Sequence, residues 1–243
     1  MNTLDTFAQA YDPSAATALE NELILNWYPK RILKRLPSCR EMSLLELGLG
    51  HGHTTLIFKE SFRRHIVLEG SGKIIELFQK NHETSHSIDF IETYFEEYET
   101  EELFDVIVMG FILEHVDDPD VIVQRYKKFL KKGGRLYVAV PNAKCLNRRL
   151  GVAIGKIDDI YSLNANDIAQ GHQRNFCLDS LRKLMAGHGL ITTLEEGIYL
   201  KPLPLGYMKM MPEFEENLVA MCKVGVDFPE LCLAILMELK VDD

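Results

Sequence analysis

The 243-residue chain has five cysteines but no Cys-x-x-Cys pair, no uncharged run approaching the ~20 residues of a membrane span, and no Gly-Lys-Ser/Thr sequence after a glycine-rich turn. The scattered Cys39, Cys145, Cys177, Cys222 and Cys232 exclude a zinc ribbon and a disulfide framework, so no metal site is expected and a reducing, cytoplasmic location is. The missing Gly-Lys-Ser/Thr excludes a phosphate-binding P-loop. Basic residues are also too few: 27 Lys and Arg face 36 Asp and Glu, for a net charge of −9 that repels nucleic acid and anionic lipid. The opening MNTLDTFAQAYDPSA carries no basic stretch followed by an apolar core, so neither secretion nor membrane insertion is expected.

What is present is ordinary globular material, 47% hydrophobic and 26% charged, without repeats or low-complexity tracts. It suits a single domain with a cap. The organising stretch is Leu44 to Thr55, LLELGLGHGHTT. Leu44, Leu45 and Leu47 suit a buried parallel strand, Gly48, Gly50 and Gly52 a tight turn, and Thr54 onward a helix to about Phe62. Glycines allow close backbone approach to a ligand, and the amides that follow are unpaired. Glu69 ends the next apolar run, HIVLEGS, about 21 residues after Gly48, where an acidic side chain accepts hydrogen bonds from ribose hydroxyls in nucleotide-binding units. The glycine spacing disfavours a dinucleotide: Gly-x-Gly-x-x-Gly needs glycine at position 53, which is His53. A Gly-x-Gly-x-Gly turn with Glu46 just ahead suits a cofactor with an amino-acid tail and no pyrophosphate.

The remaining chain alternates strands and helices, which predicts a doubly wound, mostly parallel sheet of seven strands; its last strand is expected to run antiparallel. Residues 1–40 form a helical N-terminal segment, with amphipathic helix from about Ser14 to Leu36; Tyr11 and Asp12, just ahead of it, lie against the cofactor. Tyr94 and Phe95, after the third strand, stack on a purine. Strand four is LFDVIVMG, ending at Gly110, and Asp118-Pro119 starts a helix that ends at a Lys131-Lys132-Gly133-Gly134 turn. After strand five, RLYVAVPN, the rhythm breaks for about 34 residues, 143–176, an insertion of the length that carries function. Residues 201–229, rich in Met, read as a lid over the acceptor or a dimer contact.

Together LELGLGHG, LEGS, FDVIVMGFILEHV and LKKGGRLYVAVPN resemble the motifs of class I S-adenosylmethionine-dependent methyltransferases, over roughly Leu44 to Leu200. VPNA, NRRLG and GHQRNF make the chain similar to the small-molecule O-methyltransferases of quinone biosynthesis. The resemblance implies S-adenosyl-L-methionine as cofactor, with Glu46, Gly48, Gly50 and Gly52 bordering its methionine tail. Glu69, with Gly70 beside it, would hold the ribose, and Gly110 would meet the amino-acid portion. Tyr94 stands where the family often has an aspartate, and Leu49 and His51 replace a frequent cysteine and threonine.

The sulfonium is already a good electrophile, so a methyltransferase must chiefly align the acceptor and exclude water. His172 is the candidate base and Arg174 the candidate holder of an anionic substrate group. His115, grouped with the cofactor-binding residues, either fixes its loop or serves as a base, and Glu114 braces the same loop. The expected activity is O- or N-methylation of a small organic acceptor by a monomer or homodimer; the alternative is an inactive cofactor-binding module.

Overall fold

The computed structural model describes residues 18–82 and 88–242. In chain order the elements are α1 (Ala18–Arg35), β1 (Ser43–Leu47), α2 (His53–Phe58), β2 (Arg64–Glu69), α3 (Gly72–Asn81), β3 (Ile88–Glu92), β4 (Phe104–Gly110), α4 (Pro119–Tyr126) and β5 (Leu130–Pro141). They continue with α5 (Leu146–Ala153), α6 (Ala165–Ala169), α7 (Leu178–Gly187), β6 (Leu190–Ile198), α8 (Leu205–Met208), α9 (Phe214–Gly225) and β7 (Ala234–Val241). Among the described residues the strands form one sheet of seven in the order β3-β2-β1-β4-β5-β7-β6. Strand β7 runs antiparallel to both neighbours and the other pairings are parallel. The order reverses between β1 and β4, so a ligand crevice opens at their carboxyl ends.

Helices cover both faces of the sheet, which is why its central strands β1, β2 and β4 are buried nearly throughout rather than alternating. Leu45, Leu47, Ile107, Met109, Leu136 and Val138 pack with Ile122 and Val123 of α4 and Leu181 and Met185 of α7. Their neighbours of opposite parity, Leu44, Val106, Val108, Tyr137 and Ala139, pack with Ile24 and Ile32 of α1, Met208 of α8, and Leu218 and Cys222 of α9.

Three local expectations are corrected. The helix after the glycine turn ends at Phe58, earlier than expected. Helix α4 begins as read, with Pro119 in its first turn and Asp118 Oδ1 accepting from the Asp120 and Val121 amides. It ends at Tyr126, however, and a single 3-10 turn leads directly into β5. The Lys131–Gly134 stretch is a bulge inside that strand rather than a helix stop: Leu130 already pairs with Phe104, and pairing resumes at Arg135 with Val106. Lys131 Nζ meets Asp105 Oδ2 at 2.8 Å, spending a charge read as helix capping.

The insertion folds into α5 and α6 and returns to the sheet through a bridge between Asn142 and Phe176. The methionine-rich segment becomes α8 and α9. Met208 is buried on the α1 face of the sheet, with its sulfur 3.7 Å from Tyr199 Oη. Neither Met208, Met210 nor Met211 lines the central cleft. Among the described residues no helix is long and apolar enough to cross a membrane.

Candidate functional site

A cleft of about 1150 Å³ opens at the carboxyl ends of β1, β2 and β4, walled by α1 on one side and the insertion on the other. Its floor is the glycine turn. Gly48, Gly50 and Gly52 have φ of 83°, 50° and 75°, in the left-handed region that a side chain strains. At Gly52 a Cβ would also lie 2.4 Å from the Phe78 ring. Both oxygens of Glu69 face this turn: Leu49 N donates to Oε2 at 3.0 Å and Ser71 N to Oε1 at 2.9 Å. Burial pushes the Glu69 carboxyl above its ordinary range, opposed by amides at Ser71, Leu49, Gly50 and Gly70. Both Glu69 oxygens thus face the turn's amides, and a ribose diol placed here would share the carboxylate's lone pairs with them.

Glu46 is corrected. It lies beneath the turn and does not line the cleft. Its carboxylate accepts from Thr55 Oγ1 at 3.0 Å and meets His65 Nε2 at 2.7 Å, all three groups being buried. Parity explains this: Glu46 is on the sheet face with Leu44, under α2, and acts on the turn only through Thr55.

Of the other expected cofactor-side residues, Gly70, Tyr94, Phe95, Gly110 and His115 fall on the cleft wall. Tyr11 and Asp12 lie outside the described residues. Gly110 is required by packing as well as by any ligand, because a Cβ there would sit 2.1 Å from Tyr28 Oη. Tyr28 reaches in from α1 and hydrogen-bonds Thr54 Oγ1 at 2.9 Å, tying the helix to the turn. Asn21 Nδ2 adds a 3.5 Å contact to His51 Nε2. Glu20, Asn21, Ile24 and Tyr28 thus form one cleft-facing side of α1 at three- and four-residue spacing. That stripe was legible in principle, yet its apolar members alone read as core.

At the far end, the loop after β4 meets the insertion. His115 and His172 pack edge to face with ring centroids 4.7 Å apart. Glu114, His115 and His172 each present a ligand atom, and the three atoms lie within 4.8 Å of one another. Glu114 is 1% exposed, and neither carboxylate oxygen has a hydrogen-bond partner among the described residues. Burial raises its carboxyl to about 8, against the pull of its own backbone amide and Arg174. Burial lowers His115 to about 4, helped by His172, while a hydrogen bond to the Gly171 backbone opposes the shift. Burial also lowers His172, which Asp167 counteracts from 3.7 Å.

Arg174 is the second correction to the candidate site. Its guanidinium donates to the carbonyls of Leu113 at 3.0 Å, of Val116, and of Asp117 at 2.9 Å. It does not line the cleft. Its fork is consumed in shaping the 111–117 loop, with Gln173 Nε2 donating to the His115 carbonyl at 2.8 Å alongside it. That bracing aims Glu114 inward. Nothing in the spacing of LEHV and GHQRNF announced the convergence of Glu114 with His172, because the loop and the insertion meet only in the tertiary structure.

A family model described as a methyltransferase domain matches residues 22–194. The ubiquinone biosynthesis O-methyltransferase of Rhodopseudomonas palustris is 23% identical over 198 residues, covering 81% of this chain and 76% of that protein. Among solved structures, an S-adenosylmethionine-dependent methyltransferase from Thermotoga maritima superposes with a TM-score of 0.67 at 17% identity, over 99% of this chain and 100% of the other. The 1,6-didemethyltoxoflavin-N1-methyltransferase of Burkholderia thailandensis, with S-adenosylhomocysteine and its methyl acceptor bound, gives 0.63 at 16% identity, over 98% and 85% of the two chains.

Proposed function

From the premise that this chain belongs to the methyltransferase-domain family and is a class I S-adenosylmethionine-dependent methyltransferase, we propose that it methylates a small organic acceptor held at the Glu114, His115 and His172 end of the cleft. One observation carries this reading: a single cleft joins the glycine turn and Glu69 to the buried carboxyl of Glu114, flanked by the His115 and His172 imidazoles. The first half suits the cofactor. Gly48, Gly50 and Gly52 offer backbone to its amino-acid tail, Glu69 and Gly70 face the ribose, and Tyr94 and Phe95 offer ring surface to adenine. When bound, the cofactor supplies an activated methyl group.

The chain's own contribution is alignment, exclusion of water and proton removal. Positioning alone supplies about 7 to 11 kcal/mol in well-oriented reactions. Glu114, whose carboxyl titrates at about 8, is the group best matched to taking a proton near neutral pH, and His172 supports it. His115, held by the Gly171 carbonyl, fixes the loop and presents its other nitrogen inward. The insertion closes the acceptor end over residues 143–176, acting as a cap on a single catalytic domain.

Thermal shift tests the cofactor half. S-adenosylhomocysteine at 100 times its dissociation constant should stabilise the protein by about 2.7 kcal/mol, raising Tm by roughly 5 to 11 °C for a domain of this size. A shift with NADH and none with S-adenosylhomocysteine would refute the assignment.

A further inference from the structure

The insertion holds a second carboxylate against the proposed acceptor site. Helix α6 opens with a reciprocal cap, in which Asn164 Oδ1 accepts from the Asn166 and Asp167 amides at 2.8 and 3.0 Å and Asp167 Oδ2 accepts from the Asn164 amide at 2.8 Å. The cap uses one oxygen of Asp167. The other, Oδ1, lies 3.7 Å from His172 Nδ1, and the His172 amide donates to the Asp167 carbonyl at 2.9 Å, so side chain and backbone link the same two residues.

This neighbour fixes which way the His172 ring faces. Nδ1 is enclosed without a hydrogen-bond partner among the described residues, whereas Nε2 is not among the enclosed atoms and His172 lines the cleft. Nδ1 therefore turns to Asp167 and Nε2 to the cleft. At 3.7 Å the contact is longer than a hydrogen bond, but such bonds are often long in a free enzyme and tighten once its ligands bind. The other titratable and charged groups round the ring are Glu114 and His115 from the 111–117 loop, with Lys156, Asp158 and Asp159 on the insertion's share of the cleft wall. Among the described residues, Asp167 is the one that pairs with a His172 ring nitrogen.

We propose that Asp167 is a positioning residue: it holds His172 in the tautomer with hydrogen on Nδ1, so that Nε2 offers a bare lone pair to the acceptor end of the cleft. This rests on the methyl-transfer reading above and names a residue that acts through His172 within it. The protonation of one ring nitrogen is set by the hydrogen bond the other makes, and an ionised carboxylate only accepts, so the hydrogen is drawn to Nδ1. The same carboxylate favours the charged ring whenever Nε2 takes up a proton, which is the sense in which Asp167 opposes the effect of burial on His172. Asp167 itself exchanges no proton.

A purely structural Asp167 predicts something different. Asparagine at this position can keep the cap, because its oxygen can take the Asn164 amide, and its NH2 group then stands where Oδ1 was. A donor facing Nδ1 draws the ring hydrogen to Nε2. The tautomer reverses while the cap survives.

Long-range ¹H–¹⁵N correlation of the imidazoles, on the full chain with S-adenosylhomocysteine, reads the tautomer and the titration of His172, whose signals are assigned by their loss in His172→Gln. The original protein should show Nδ1 protonated and Nε2 bare. Asp167→Asn should reverse this, and Asp167→Ala should lower the pH at which the ring titrates. Asn164→Ala, which loses the side-chain cap but keeps the carboxylate, should lower Tm without reversing the tautomer. Hydrogen on Nε2 in the original protein, or one tautomer and one titration midpoint shared by the original protein, Asp167→Asn and Asp167→Ala, would overturn the assignment. The first of these readings needs no variant, so it decides even where a variant fails to fold. S-adenosylhomocysteine affinity in the same samples separates the two readings: if it is retained against a contrary tautomer, only the role of Asp167 falls, and if it is absent from the original protein, the methyl-transfer reading falls whatever the tautomer.

Discussion

The two halves of the cleft recognise by different means. The proposed cofactor half rests mainly on backbone and one carboxylate, within the short span from Gly48 to Ser71 that β1 and β2 hold in register, with Tyr94 and Phe95 adding ring surface. The proposed acceptor half is built from side chains about 57 residues apart in sequence, on a loop and an insertion that Arg174 and Gln173 join by gripping the 113–117 carbonyls. The contrast teaches that a backbone-built site is a local property, while a side-chain-built site is a property of the fold. The first should tolerate change in its neighbours. The second should be sensitive to anything that moves the loop.

Mutation can break the comparison. The largest effect is expected from Glu114→Gln, which should lower methyl transfer by about 100- to 10,000-fold, the usual worth of a positioned base. Cofactor affinity should stay within a factor of about three, because Glu114 touches nothing in the turn. Next comes Glu69→Ala. It removes charge-assisted hydrogen bonds worth about 1.5 to 3 kcal/mol, so calorimetry should show cofactor affinity falling about 10- to 100-fold. Gly52→Ala sets a methyl group 2.4 Å from the Phe78 ring at φ +75°. Overpacking and left-handed strain together cost about 3 kcal/mol, which scanning calorimetry should read as a Tm drop of roughly 6 to 12 °C.

Arg174→Ala sharpens the same contrast. It should lower turnover and Tm together while leaving cofactor affinity unchanged, since it unties the loop without touching the turn. A rise in acceptor KM alone, with Tm intact, would instead restore Arg174 as a substrate anchor.

The smallest expected effect is in pH. Glu114 titrates at about 8 in the fold against 4.5 ordinarily. The native state therefore holds a proton that the unfolded chain has lost, and Glu114's contribution to stability falls as pH rises from about 4.5 to 8. His115, lowered to about 4 from 6.5, acts oppositely, so its contribution is lost as pH falls from about 6.5 to 4. Between pH 6.5 and 9, the Tm of Glu114→Gln should rise relative to the original protein. A constant difference would show that Glu114 does not titrate there.

This division also explains what the sequence could disclose. The seven strands and the doubly wound class are readable in apolar runs at βα spacing, and Gly48 through Glu69 is readable because a turn and a strand end are fixed by neighbouring residues. Glu46 misled because its place in the motif says nothing of which sheet face it occupies; parity puts it under α2, with His65. Arg174 misled because an arginine in a polar insertion looks available, whereas its carbonyl partners lie about 57 to 61 residues back. The bulge at Lys131–Gly134 looked like a helix stop because Gly133 adopts the same positive φ in either setting. Tyr28 was not singled out, and Glu114 was read as a brace for its loop, whereas its carboxylate has no partner among the described residues.

The central claim is that one cleft holds a cofactor by its turn and works on an acceptor by its loop. Titration of S-adenosylhomocysteine by calorimetry into the original protein, Glu69→Ala and Glu114→Gln tests it most directly. The account predicts tight binding to the first, binding weakened at least tenfold in the second, and binding essentially unchanged in the third. Equal loss in Glu114→Gln, or full affinity in Glu69→Ala, would contradict it.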